Sequence, residues 1–211
     1  MVKKKNLTKA FFVSLVIGVL IFSLGLFVGY GLDVLRIKDV STSLNDIELQ
    51  TLDYITSQEF LDIFGGDRCE LLNKGLVSIT PKVVELGQTL TKYEEKNIFT
   101  GKEYEFLKSK YFLLEIRTYT LFTKLKKECD FKGDLILYFY DQHHEDSERQ
   151  GYILDRLVNS DDVHIFSFDR SFEIISFLVD RYEIEKGPTI IINEEKKFEG
   201  LTYLDELRKN V

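Results

Sequence analysis

With 211 residues, 44% of them hydrophobic, the chain has room for one or two modest domains around a packed core. The formal charge of −7 is unevenly spread: Lys3, Lys4, Lys5 and Lys9 make the first ten residues basic, so the remainder carries a net −11. An acidic body with no Lys/Arg stripe repels phosphate, which excludes nucleic acid as a partner.

Residues 1–9 read as a basic tail. Residues 10–32, "AFFVSLVIGVLIFSLGLFVGYGL", carry no charge and are long enough to cross a bilayer as one helix. A cleaved signal peptide is the competing reading, but this apolar run exceeds the usual h-region of about 7–15 residues and no small-x-small cleavage site stands out near its end. The lysines before the span outnumber Arg36 and Lys38 after it, which Asp33 and Asp39 accompany. The positive-inside rule then keeps the amino terminus cytoplasmic, anchors the chain in the cell membrane by a single pass and leaves residues 33–211 outside.

Residues 33–129 are expected to form an α-helical segment. "SLNDIELQTLDYITSQEFLDIF" puts Leu44, Ile47, Leu52, Ile55, Phe60 and Ile63 near one stripe, ending at Gly65-Gly66. A second helix is expected to start at Thr80, as cap, with Pro81 at the first helical position. A third starts at Thr100, with Glu103 completing a capping box, and runs to about Glu128. On that helix Leu107, Tyr111, Leu114, Leu121 and Leu125 form one apolar face and Phe106, Phe112, Ile116, Tyr119 and Phe122 a second. The second face packs either on the domain that follows or across a dimer seam, and the oligomeric state stays open.

Cys69 and Cys129 are the only cysteines. In an oxidising compartment they are expected to pair and close a 60-residue loop; two buried free thiols are the alternative.

From Asp130 the period shortens. "LILYFY" and "VHIFSFD" read as buried strands, and "SERQGYILDRLVN" and "SFEIISFLVDRYEI" as helices, the first with Tyr152, Ile153 and Leu157 facing in and the second capped by Ser171. The alternation implies a parallel strand pair joined by a right-handed crossover. "TIIIN" and "KKFEG" then read as a hairpin, and Thr202 with Asp205 as the cap of a last helix.

This order of elements, together with "RYEIEKGPTIII" over 181–192, resembles the thioredoxin superfamily across about residues 131–210. The resemblance implies an α/β fold class: a thioredoxin-like three-layer domain over 130–211, preceded by the transmembrane helix and the α-helical segment. It also implies a cis bond at Pro188 and a peptide-binding surface made by Gly187, Pro188 and Thr189. The family's Cys-x-x-Cys would fall where this chain has His144-Glu145-Asp146-Ser147, after a turn of Asp141, Gln142 and His143.

Imidazole and a primary alcohol cannot perform thiol–disulfide exchange, so dithiol catalysis there is excluded. Glu145, Asp146 and Glu148 are ordinary favourable first-turn residues. His143 and His144, with nearby carboxylates, are weak metal candidates because adjacent residues rarely converge on one ion, and the one other histidine is His164. A Ser147 nucleophile activated by His144 lacks a recognisable oxyanion hole or orienting acid. No cofactor is expected. The leading expectation is a membrane-tethered, redox-inactive protein that binds or positions other polypeptides; the alternatives are an accessory oxidoreductase using Cys69 and Cys129, and a metal-binding module at His143 and His144.

Overall fold

The computed structural model describes residues 2–95, 102–158 and 162–211. Its first element, α1 (Val2–Phe64), is a single helix of 63 residues in which the apolar run passes without interruption into the helical segment. The helix is long and apolar enough to cross a membrane, and its large hydrophobic side chains from Phe11 to Leu32 are exposed. It ends where Gly65 and Gly66 take positive φ values of 80° and 150°.

Two further long helices pack beside it, α2 (Arg68–Glu95) and α3 (Lys102–Glu128). On α1 the buried stripe is Val40, Leu44, Ile47, Thr51 and Tyr54. Leu52, Phe60 and Ile63, expected on that stripe, are 58%, 57% and 76% exposed and lie on the outward side. The facing stripe on α2 is Leu72, Leu76, Ile79, Val83, Leu86 and Leu90, an unbroken three-and-four spacing.

That spacing explains why α2 does not begin at Thr80, as expected, but runs straight through Pro81. The ring sits on the exposed face, where the carbonyl left without its helical partner, that of the exposed Val77, can be hydrated. Thr80 is therefore not a cap, and its buried hydroxyl has no hydrogen-bond partner among the described residues. The expected cap of the third helix, Thr100, lies outside the described residues.

After α3 the chain forms β1 (Asp134–Tyr140), α4 (Glu145–Val158), β2 (Val163–Asp169), a 3-10 turn (Glu173–Ile175), α5 (Ser176–Arg181), β3 (Thr189–Ile192), β4 (Lys196–Glu199) and α6 (Leu204–Leu207). The sheet order is β2-β1-β3-β4. β1 and β2 are parallel, in register from Asp134 opposite Val163 to Tyr140 opposite Asp169. β3 runs antiparallel to both β1 and β4.

The expected α/β class with a three-layer thioredoxin-like domain over 130–211 is corrected by this architecture. The first three helices have 63, 28 and 27 residues, against strands of 7, 7, 4 and 4, so the chain is predominantly helical with a small sheet. One sheet face is not closed by residues 130–211 alone. Leu137, Phe139, Phe166 and Phe168 share a core with Phe112, Tyr119 and Phe122 of α3, and with Leu72 and Leu76 of α2. The other face, Ile136, Tyr138, Ile190 and Ile192, packs on Leu154 and Leu157 of α4 and Leu207 of α6. The physical reason is the two-sided apolar character of α3, whose opposite flank, Leu107 and Leu114, belongs to the core made with α1 and the rest of α2.

Several local expectations also change. On α4 the inward residues are Ser147, Gln150, Leu154 and Leu157, whereas Tyr152 is 67% exposed. Gln150 displaces it because its side chain bridges to the backbone of Thr202, donating to the carbonyl at 3.1 Å and accepting from the N–H at 2.7 Å. Ser171 is not a helix cap: its N–H and hydroxyl both donate to Asp169, at 3.0 and 2.7 Å. The residue preceding α6 is Tyr203, and the Thr202 hydroxyl turns back to the Gly200 carbonyl at 3.3 Å.

Candidate functional site

The carboxyl end of β1 brings together the turn before α4 and the loop before β3, and Asp141 joins them. Its carboxylate accepts the Gly187 N–H at 3.0 Å and pairs with the Arg170 guanidinium. Its own N–H donates to the Ser147 hydroxyl at 3.2 Å. The His144 N–H closes the turn onto the Asp141 carbonyl at 3.3 Å, and the His144 carbonyl accepts the Glu148 N–H at 3.1 Å, the first bond of α4. His143, at φ 59°, supplies the left-handed residue that the turn requires.

The four motif positions have different surroundings. His144 and Glu145 are exposed and Asp146 half-buried, 3.5 Å from Arg149. Ser147 is buried; its carbonyl accepts the Tyr138 hydroxyl at 2.6 Å, and burial pushes the Tyr138 phenol above its ordinary range. With its oxygen engaged by the Asp141 N–H and no hydrogen bond to His144 among the described residues, Ser147 is a structural pin.

Gly187, Pro188 and Thr189 are all buried. The Gly187–Pro188 peptide bond is cis. A Cβ at 187 would lie 2.5 Å from the Asp141 nitrogen and 2.8 Å from the Tyr140 carbonyl carbon, so only glycine fits there. The Thr189 hydroxyl donates to the Lys186 carbonyl at 2.7 Å, and the Pro188 carbonyl accepts the Gly200 N–H at 2.8 Å. The donor that strand addition at Gly187 would use is thus already bonded within the chain. The accessible rim consists of Gln142, His143, His144 and Glu145, and Lys186, next to Gly187 in the adjoining loop, is exposed as well.

Behind the rim lies a buried charge cluster that sequence reasoning missed. Lys108 of α3, its side chain 4% exposed, pairs with Glu94 of α2 and sits 3.8 Å from the fully buried Asp169 at the end of β2. Its ammonium group lies 5.3–6.0 Å from the ring centres of Tyr104, Phe112, Tyr140 and Phe172. Gln142 donates to Glu94 at 3.3 Å, tying the cluster to the rim. The available signal was a charged residue closing an apolar strand, "VHIFSFD", and a lysine inside the aromatic run "YEFLKSKYF".

A second buried acid, Glu115, lies two turns further along α3, where Tyr111 donates to it. Burial pushes its carboxyl up to about 8.

Cys69 and Cys129 form a disulfide with a Cα–Cα distance of 5.6 Å. It joins the start of α2 to the end of α3, near the amino end of β1, where Lys126 reaches Gly133 and Asp134. That is the opposite end of the strand from Asp141 and Gly187. Among the described residues no group of three or more His, Cys, Asp or Glu side chains is arranged to hold a metal. His164 lies in the aromatic core, stacked on Phe122 at 4.2 Å, with its pKa lowered by burial.

No family model and no curated protein matches the chain. Among solved structures, one described as "Structure of a malarial protein" is similar over 37% of this chain and 92% of its own, at 17% identity and a TM-score of 0.33.

Proposed function

We propose that this chain is a membrane-anchored protein that binds or positions another polypeptide outside the cytoplasm without catalysing thiol–disulfide exchange, its carboxy-terminal strand–helix part being a relative of the thioredoxin superfamily that has lost the exchange motif. The observation that carries this reading is the junction at Asp141. The turn bearing His144 and Ser147 and the loop bearing Gly187 both bond to this one residue, so the juxtaposition expected of a recognition surface is present without a sulfur atom in it.

Two further features support the reading. α1 joins the apolar span to the folded part with no flexible linker, which suits a positioning role. The charge asymmetry around the span supports an outward orientation for residues 33–211. The exposed rim, not the backbone of Gly187, is the contact surface, because the Gly187 donor is bonded internally. A relay through Cys69 and Cys129 gains no support from a disulfide at the far end of β1, and among the described residues no third His, Cys, Asp or Glu side chain is grouped with His143 and His144 to hold a metal.

The test is an exchange assay on the purified full-length protein, following insulin reduction and oxidation of a dithiol peptide. Both are expected to stay at the uncatalysed rate. Turnover that disappears in Cys69→Ser would overturn the reading.

A further inference from the structure

The two edges of the sheet are finished differently. β4, at one edge, has four residues, "KKFE", and its lysines are tied down: Lys197 pairs with Glu199 at 2.7 Å and reaches the Glu183 carbonyl at 2.8 Å, and Lys196 reaches the Asn210 carbonyl at 3.1 Å. Short, charged edge strands resist further pairing. β2, at the other edge, has seven residues, "VHIFSFD", with no charged side chain between His164 and Asp169.

The two ends of the β1–β2 ladder fix which main-chain groups of β2 are used. The Asp134 N–H donates to the Asp162 carbonyl at 3.0 Å, and the Arg170 N–H donates to the Tyr140 carbonyl at 3.1 Å. Bonding residues alternate in a parallel pair, so His164, Phe166 and Phe168 turn their N–H and C=O groups to β1, while Val163, Ile165 and Ser167 turn theirs outward. β2 pairs with β1 alone, and among the described residues no hydrogen bond reaches those three outward pairs of groups. Ile165 and Ser167 keep part of their surface exposed.

We infer that the outer edge of β2 is a strand-addition site for an uncharged, extended segment of a different polypeptide. Donors and acceptors that recur every second residue, about 6.6 Å apart, are matched by the main chain of another strand, whereas a helix has its main chain already bonded. The added strand lays its side chains beside Ile165 on the α4 face and beside Phe166 and Phe168 on the α3 face, and these apolar neighbours select β-branched or aromatic residues over charged ones. The site is separate from the rim and does not rest on the role proposed for it.

Strand direction selects against a second copy of this chain. α2 runs antiparallel to α1, with Ser78 on Gln50 and Lys82 on Asp46, and α3 runs antiparallel to α2, with Cys129 on Cys69 and Lys108 on Glu94. β2 in turn runs antiparallel to α3, with Phe168 against Phe112, Phe166 against Tyr119 and His164 against Phe122. β2 therefore follows the general direction of α1. With Ala10–Leu32 as the membrane span, two copies in one bilayer are related by an axis along that direction, which sets their β2 strands parallel. Two identical edges related by a two-fold axis pair only when antiparallel.

The test uses the full-length protein in phosphatidylcholine vesicles, with a short capped peptide of alternating valine and threonine as the probe. A copy of the peptide N-methylated at two adjacent central amides, which blocks both of its edges, is the control. Amide hydrogen exchange is followed residue by residue along β2. Without peptide, the amides of 165 and 167 are expected to exchange at least ten-fold faster than those of 164 and 166. The probe should slow 165 and 167 several-fold and the methylated copy should not. Ser167→Pro, which removes only an outward donor, should weaken binding of the probe at least five-fold. Slow exchange at 165 and 167 without peptide would show the edge already covered, by a second copy or by the chain itself, and would overturn the inference. So would exchange that the probe leaves unchanged, or equal slowing by the methylated copy, and this comparison decides even where Ser167→Pro lowers stability. None of these outcomes bears on the rim, which is read separately at position 144.

Discussion

Asp141 and Gly187 meet through a 3.0 Å hydrogen bond from the Gly187 N–H to the carboxylate, across a separation of 46 residues. The same carboxylate carries the Arg170 guanidinium, so one side chain clamps the turn before α4, the end of β2 and the loop before β3. Hydrogen bonds to charged groups contribute about 1.5–3 kcal/mol each, and the partial exposure of this pair places its effect at the lower end. Asp141→Ala is expected to lower the unfolding free energy by about 2 kcal/mol in urea denaturation. A loss below about 0.5 kcal/mol would show that the clamp contributes little.

Gly187 is constrained from the other side. A methyl group there would meet the backbone of Tyr140 and Asp141, which cannot yield as a flexible side chain can. Gly187→Ala should cost about 1–3 kcal/mol by overpacking and should broaden the amide resonances of residues 140–147 more than those of α6. Unchanged stability would mean that the β1 end moves freely.

Lys108 and Asp169 bring opposite charges into a region lined by aromatic rings. Removing one partner of a buried pair leaves an uncompensated charge and typically costs about 3–5 kcal/mol. Lys108→Met is therefore expected to be among the most destabilising single changes, and adding Asp169→Asn should restore part of the loss, by a non-additive amount that a double-mutant cycle measures. Strict additivity would contradict a direct interaction.

The elements that could be read from the sequence are those whose signal is local. β1 and β2 appear as apolar runs, and the hairpin of β3 and β4 as two runs around a polar turn. The end of α1 is written in Gly65-Gly66. Where the reading failed, a longer-range interaction overrode a local one. The α1–α2 seam carries the helix through Pro81, a residue that by itself favours a start. Gln150 replaces Tyr152 in the core because its partner, Thr202, is 52 residues away. The whole-chain class was misjudged because three long helices outweigh a small four-strand sheet, one face of which α3 closes as a structural part of the same core. At the candidate surface the burial was not legible: nothing local to Gly187 reveals that Asp141 occupies its N–H.

Glu115 makes stability depend on pH in a defined direction. Its folded-state pKa is about 8, above the ordinary carboxylate value of 4.5, because burial disfavours the charged form. The folded chain thus holds a proton that the unfolded chain has released, and its stabilising effect is complete below about pH 4.5 and lost as pH rises to about 8. Within that window the contribution falls by about 1.4 kcal/mol per pH unit. Replacing Glu115 with Gln should flatten this part of the stability profile measured by denaturant titration from pH 5 to 8. An identical slope in the variant would assign the dependence elsewhere.

The disulfide closes a loop of 60 residues between the start of α2 and the end of α3. By loop-closure entropy, removing it through Cys69→Ser with Cys129→Ser should cost about 2–4 kcal/mol. Because the bond lies away from the rim, binding at His144 should persist below the lowered melting temperature. Loss of binding in a variant that remains folded would place the cysteines in the functional surface.

The most direct test of the binding role is photocrosslinking in native membranes from position 144, compared with position 203, another exposed site on the part of the chain after α3. The account predicts a discrete polypeptide adduct from 144 that is absent from 203 and persists in the cysteine-free variant. No polypeptide adduct at 144, or equal adducts at both positions, would contradict it.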